Sequence, residues 1–454
     1  MRHSQLYLYL FTALLILSAC TKKASPVESL PSFEELGLLT DEEMLTREDP
    51  AAPTENEAWG EWIGANAIPI RSLDAEASLD LEEMIPYLAD KRIVQLGESG
   101  HGVREFSSVK VRLIKFLHQE LGFNVIAFES SIYECFAAYR KIDYLNATEL
   151  MQHSVFAVWH AWEVRELFAY IRSCRHTDNP LILSGFDIQP SAAAEYMIRP
   201  LFFQEVIAQL DSGYAEEVFA LDSTFTSKMM STSYIQNNNL SLLSQYQALV
   251  DFLDTHQSEL ANLYSDDPLV PLIARQTAWS MTQYIRQITA SGQSRTMLRD
   301  KGMADNFAFL ATNLYPGEKI IVWAHNFHIR HKNEVVKIYD GLRTMGSYVA
   351  DQFGPDLYTI GLFMYRGQAA LNDREIYDIE PARSGSLESI FYRARKKYCF
   401  IDLAGQSESE GNSWMFRNIY AKSWGLSDIK MVLRNQYSAI LFIDTVHPPA
   451  YIEY

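Results

Sequence analysis

Residues 92–129 read RIVQLGESGHGVREFSSVKVRLIKFLHQELGFNVIAFE, and the class of fold follows from them. Its ends, Arg92–Gly97 and Asn124–Glu129, are short apolar runs of the length and composition of buried strands. Between them lies Glu105–Leu121, where Phe106, Val109, Leu113, Phe116 and Leu117 recur at helical spacing. Strand, helix and strand in so short a span form a βαβ unit, which predicts parallel pairing and a right-handed crossover.

Five further apolar runs read as buried strands: Leu181–Phe186, Lys319–Ala324, Leu357–Phe363, Tyr398–Leu403 and Ala439–Asp444. From about residue 190 to about 314 no convincing strand appears, and the Leu, Tyr, Gln and Ala periodicity predicts helices that cap or flank a sheet. The expected architecture is α/β: a single domain over 59–454 with a mixed, largely parallel β-sheet flanked by helices and a helical insertion. No internal repeat is visible.

The N-terminus reads differently. Arg2 and His3 precede an apolar run, Leu6–Leu17, too short to span a bilayer comfortably. The run ends in Leu17-Ser18-Ala19-Cys20, a lipobox pattern in which Cys20 is acylated and becomes the mature N-terminus. An ordinary signal peptide, or an N-terminal anchor, with a chance cysteine is the plainer alternative. Residues 1–20 are thus expected to be a lipoprotein signal peptide. Residues 21–58, rich in Glu, Asp, Pro, Ser and Thr, are expected to be a flexible tether with one short helix near Phe33–Leu39. Thr21 follows the cysteine instead of Asp, so the expected location is the cell envelope, at the outer membrane of a Gram-negative cell, held by the N-terminal lipid.

Composition excludes other classes. The chain has 454 residues, 48% of them hydrophobic and 21% charged, which is globular and neither disordered nor fibrous. A net charge of −18 offers no basic surplus for a phosphate backbone, so no nucleic-acid partner is expected. Cys135, Cys174 and Cys399 are widely spaced, leave at least one free thiol, and form no CxxC zinc pattern. The oligomeric state is not legible.

Chemistry collects at strand ends. The first strand runs into Gly97-Glu98-Ser99-Gly100-His101-Gly102, the second ends in Glu129, the third is followed by Asp187, and the fourth runs into His325-Asn326-Phe327-His328. In open parallel sheets ligands bind outside the carboxyl ends of the strands. Four strands therefore send two Glu, one Asp and three His towards one rim. A histidine beside a carboxylate in a glycine-flanked turn suits a general base, because histidine titrates near neutral pH. The plainer readings are that Glu98 and His101 cap the following helix, that Glu129 is solvated, and that Asp187 is an N-cap or turn residue. His325 and His328, at i and i+3, can share one helix face and raise a metal hypothesis, although no HExxH is present. His331, between Arg330 and Lys332, reads as a solvated surface residue. No GxSxG elbow, P-loop or dinucleotide fingerprint occurs, which favours water activated by His and carboxylate over a covalent acyl-enzyme.

These residues carry a resemblance. Leu96-Gly97-Glu98-Ser99-Gly100-His101-Gly102, with Arg104-Glu105-Phe106 behind it, resembles the opening motif of the erythromycin esterase family. Gly122-Phe123, Ala127-Phe128-Glu129, Trp162-Glu163-Val164, Gly185-Phe186-Asp187, Arg299-Asp300, Met303-Ala304, Trp323–His328 and Gly346-Ser347 continue the match. The resemblance implies hydrolysis of a macrolide lactone, or another bulky ester, without a serine nucleophile. It implies His101 as the base, with Glu98 and Glu129 orienting or polarising the water and His325 completing the catalytic set. Lys110, Asp187 and His328 are expected to contact substrate. The family often carries Arg where this chain has Lys110, and a lysine is a point charge without the planar fork. No cofactor and no metal are carried over, and the expected partner is a small-molecule ester. A metal-dependent hydrolase using Glu98, His101, Glu129 and His325, and a non-catalytic ligand-binding envelope lipoprotein, remain as rivals.

Overall fold

The computed structural model describes residues 53–74 and 78–453. The expected leader, Cys20, and the tether as far as residue 52 lie outside the described residues. Its last six residues do not continue as tether: helix α1 (Pro53–Asn66) begins there. Trp59 and Ile63, one helical turn apart, are buried, and the Trp59 indole donates to Ser413 Oγ at 3.0 Å. A packed apolar face explains why helix starts where composition still looks like linker.

Eleven strands are described: β1 (Ile68–Pro69), β2 (Ile93–Leu96), β3 (Phe123–Ser131), β4 (Ile182–Asp187), β5 (Lys319–Trp323), β6 (Leu357–Ala370), β7 (Ile376–Asp378), β8 (Tyr398–Asp402), β9 (Asn418–Ser423), β10 (Ser427–Val432) and β11 (Ala439–Val446). Nine form one sheet in the order β1-β8-β11-β6-β2-β5-β3-β4, with β7 paired to β6. From β11 to β4 every neighbour is parallel; β1, β7 and β8 pair antiparallel. The sheet is therefore mixed and mostly parallel, as expected, and all seven predicted strands are present. Strands β9 and β10 form a separate antiparallel hairpin.

The expected pairing of β2 with β3 does not occur. β2 and β3 are parallel but not paired, because β5 lies between them. A crossover fixes the relative direction of two strands but leaves room for a third to insert.

Alternate strand residues feed two apolar layers. Ile93, Val125, Ile320 and Val322 join one, and Val94, Leu96, Ile126, Phe128, Ile321 and Trp323 join the other. Burial on both faces is why these strands read as continuous apolar runs rather than alternating ones. Helices α2 (Arg104–Leu121) and α3 (Trp162–Cys174) cover the second layer. Between β4 and β5 the chain is helical, and the insertion closes with α4 (Gln293–Phe309), which packs against β4 on its way back to β5. The three described cysteines are free and buried. No described helix is long and apolar enough to cross a membrane.

Candidate active site

Strands β2, β5, β3 and β4 are consecutive neighbours, so Glu98, His325, Glu129 and Asp187 leave the sheet side by side at its carboxyl edge. Gly97 makes the row possible. A Cβ there would lie 2.0 Å from Asn326 Oδ1, and Asn326 needs that space. Its amide exchanges hydrogen bonds with the backbone of Leu362, 2.8 and 3.2 Å, and its N–H donates to the Glu98 carbonyl at 2.7 Å. The turns after β2 and β5 are thereby locked together.

Glu98 does not cap α2, whose N-cap residue, Val103, makes no side-chain capping bond. Its carboxylate is instead fully buried among donors. Oε1 lies 2.6 Å from His101 Nδ1 and accepts the Trp159 indole N–H at 2.9 Å; Oε2 lies 2.5 Å from Lys110 Nζ. Burial alone would raise this carboxyl, but Lys110 and His101 outweigh it and hold it below the ordinary carboxylate value. Burial in turn pulls Lys110 down to about 8, against the attraction of Glu98. The Lys110 ammonium also sits 4.3 Å from the Trp323 ring centroid. Lys110 stands behind Glu98 and is wholly buried, so its influence on a bound molecule passes through Glu98.

With Glu98 at Nδ1, the His101 ring carries its proton there in the neutral form and leaves Nε2 as an acceptor. The side chain is 13% exposed, the accessible member of the pair. Trp159 and Trp424 each meet the ring edgewise at a centroid distance of 5.3 Å.

A second network occupies the other half of the row. Glu129 is buried rather than solvated. Its Oε2 accepts the His325 N–H at 2.9 Å, and Oε1 lies 3.1 Å from Arg299 Nη2 and 3.3 Å from His328 Nε2. Burial opposes its charge, but His328 and Arg299 prevail and bring it to about 2. Asp187 Oδ2 meets the same guanidinium at 2.6 Å, while Oδ1 accepts the Gln189 N–H at 3.0 Å, so it is both a turn residue and a member of the network. Burial still raises its carboxyl, with Glu129 adding to that and Arg299 opposing it. His328 Nδ1 is 2.8 Å from Asp300 Oδ1. Burial disfavours the imidazolium, yet Asp300 and Glu129 raise His328 above the ordinary histidine value.

His325 and His328 lie in a turn, not on a helix, with ring centroids 6.4 Å apart. His325 is also 5.0 Å from the His101 ring and links the two networks. Its Nδ1 accepts the Phe327 N–H at 3.2 Å, which leaves the proton on Nε2. Burial, then the neighbouring His101 and His328, keep it well below the ordinary value and therefore neutral. His331 is not the solvated residue expected. Its Nε2 lies 2.7 Å from Thr359 Oγ1 on β6, and burial lowers it to about 4. The turn that brings His328 to the rim folds His331 back onto the sheet.

Sequence reading did not assign a site role to Arg299, Asp300, Trp159 or Trp424. Arg299-Asp300 carried a signal, as part of the motif resemblance; the two tryptophans carried none. Among the described residues no three His, Cys, Asp or Glu side chains are arranged to hold a metal ion.

A family profile described as erythromycin esterase matches residues 118–446. Over 437 residues the chain is 31% identical to YbfO of Bacillus subtilis (strain 168), which its name assigns only to the hydrolases; the match covers 88% of this chain and 94% of the relative. It is 22% identical over 399 residues to erythromycin esterase type II of Escherichia coli, covering 80% and 94%. A Bacillus cereus crystal structure superposes with a TM-score of 0.73 at 20% identity, covering 89% of this chain and 100% of the other. A histidine-to-asparagine variant of erythromycin esterase EreC, in its open conformation, gives 0.62 at 18% identity, covering 83% and 96%. At these identities the structural likeness speaks for the fold.

Proposed function

The chain belongs to the erythromycin esterase family, and on that premise we propose that it is a carboxylic-ester hydrolase in which His101 activates water against a macrolide lactone or another bulky ester. The observation that carries this reading is the buried Glu98 carboxylate at 2.6 Å from Nδ1 of the part-exposed His101. A carboxylate at one ring nitrogen fixes the tautomer and stabilises the imidazolium formed when the other nitrogen takes a proton.

In this mechanism His101 Nε2 takes a proton from water as the oxygen adds to the ester carbonyl. The resulting tetrahedral oxyanion collapses, the bond to the alkoxide oxygen breaks, and the His101 proton passes to that alkoxide. The products are a carboxylic acid and an alcohol; for a lactone both stay in one opened molecule. Positive charge for the oxyanion comes from Arg299 and His328, which Glu129, Asp187 and Asp300 hold in place. His325 presents a neutral ring between the two networks. His328 faces the reacting ester, as expected for a substrate contact, whereas Asp187 acts mainly by fixing Arg299, and Lys110 by fixing Glu98.

The test is direct. Full-length protein is incubated with erythromycin and with a panel of bulky esters, and products are followed by mass spectrometry for a gain of one water. A hydrated product that disappears with His101→Ala supports the reading; turnover unchanged in that variant would sink the assignment of the base. Placement at the cell envelope through acylated Cys20 belongs to the same proposal. Labelling with a palmitate analogue should be lost in Cys20→Ala.

A further inference from the structure

Trp424 sits at the tip of the β9–β10 hairpin, in a turn closed by the Leu426 N–H on the Ser423 carbonyl at 3.1 Å. Its φ is +58°, and Gly425 follows at +69°. Hairpin turns of this kind favour Asn, Asp or Gly at their first central position. A bulky aromatic residue with positive φ is an outlier, and it persists only where the surroundings over-determine it.

The surroundings here do so on both sides. The Trp424 N–H donates to the Ser99 carbonyl at 2.6 Å, and its carbonyl accepts from the Tyr377 hydroxyl at 2.6 Å. Next to it, the Gly425 carbonyl accepts the Glu380 N–H at 3.0 Å. Lower on the hairpin, the Lys422 N–H donates to Glu388 Oε1 at 2.6 Å and Asp428 pairs with Arg383 at 3.0 Å. A hairpin outside the main sheet is thus tied down so that one indole points into the row of strand ends.

That indole stacks on His325 at 5.5 Å and 27°, and meets His101 edgewise at 5.3 Å and 79°. Gly100 gives it room, since a Cβ there would lie 3.2 Å from Trp424 Cε3. The Gly100 backbone is not in the left-handed region, so its missing side chain serves the approach of the indole rather than the turn.

We propose that Trp424 is a positioning residue: it and Trp159 hold the His101 ring in the orientation set by Glu98, and its stacking on His325 shields the pair from bulk water. A single hydrogen bond at Nδ1 leaves an imidazole free to swing about that bond. Two indoles set nearly perpendicular to the ring remove the swing before substrate arrives, which is preorganisation of the base. This inference rests on His101 being the base.

The experiment uses full-length protein and three variants, Trp424→Ala, Trp424→Phe and Gly100→Ala, the last crowding the same contact from the opposite side. Two quantities are read: kcat and KM on the ester, and the rate at which diethylpyrocarbonate modifies His101, followed by peptide mass mapping. Trp424→Ala should lower kcat about tenfold or more, change KM less than about threefold, and speed modification of His101 several-fold. Trp424→Phe should restore most of both, and Gly100→Ala should shift both in the Ala direction by less. If kcat and His101 reactivity in Trp424→Ala both stay within about twofold of the parent, the proposal is overturned. If no ester is turned over, His101 reactivity alone decides this proposal, and the esterase reading fails separately. Should Trp424→Ala not fold, the same criteria apply to Gly100→Ala.

Discussion

Glu98 and His101 are joined by one hydrogen bond of 2.6 Å between Oε1 and Nδ1, and the other oxygen of the same carboxylate is held by Lys110 at 2.5 Å. Neither oxygen is free to turn, so the histidine meets a carboxylate of fixed position and fixed charge.

Replacing that charge is the first prediction. Glu98→Gln preserves shape but can donate where His101 Nδ1 needs an acceptor, favouring the wrong tautomer. The expected loss in kcat is on the order of 10²–10⁴ with KM little changed. A variant within a few-fold of the parent would show that His101 does not depend on Glu98.

Lys110 should set an alkaline limit. Burial brings it to about 8, so above that pH it loses the proton that faces Glu98. Activity should fall as pH rises through about 8. Lys110→Arg, which cannot deprotonate in this range, should move that fall to higher pH, provided the guanidinium fits over Trp323. The pH profiles of kcat/KM for the two proteins check this; identical alkaline limbs would remove Lys110 from the explanation.

Arg299 holds two buried carboxylates. Arg299→Met leaves Glu129 and Asp187 without the guanidinium between them, and breaking such a buried pair should destabilise the fold by about 3–5 kcal/mol. Urea unfolding measures it. The substituted protein should also become less stable as pH rises through the carboxylate range, because Asp187, already raised by burial, loses the cation that opposes that rise and favours protonation in the fold, whereas Glu129 keeps His328.

Glu134 gives a prediction with the opposite sign from ordinary salt-bridged acids. It is buried, accepts from the Ser191 N–H and hydroxyl and the Ala192 N–H, and burial still pushes it up to about 7. A folded value above the unfolded one means that its contribution is fully present at low pH and is lost as pH rises through about 7. Glu134→Gln cannot titrate. The difference in unfolding free energy, variant minus parent, should therefore rise between pH 5 and pH 8, by roughly 2–3 kcal/mol at most. A flat difference would show that Glu134 stays ionised in the fold.

What local sequence determined is considerable. The seven strands were legible because residues such as Ile93, Val94, Ile320 and Ile321 are apolar on both faces, a pattern set by neighbours within a few positions. Glu98, Glu129, Asp187 and His325 were legible for the same reason, since a polar residue ending such a run must emerge at a sheet edge. Strands β1 and β7 were not legible, being two and three residues long. The hairpin carried an alternation that was readable, Ile419 and Ala421 against Ile429 and Met431, all buried, but its turn residue is Trp424 where such turns favour Asn or Gly.

The remaining features come from contacts between distant segments. That β5 lies between β2 and β3, placing His325 between Glu98 and Glu129, depends on strand pairing between segments more than 190 residues apart in the chain. That Arg299 reaches Asp187 and Glu129 depends on where the last helix of the insertion returns to the sheet. That Trp424 stacks on His325 and meets His101 edgewise depends on a hairpin docked from the far end of the chain. Periodicity reports which face of an element is buried; which elements share that burial is settled by packing between distant parts of the chain, and the site is assembled at that level.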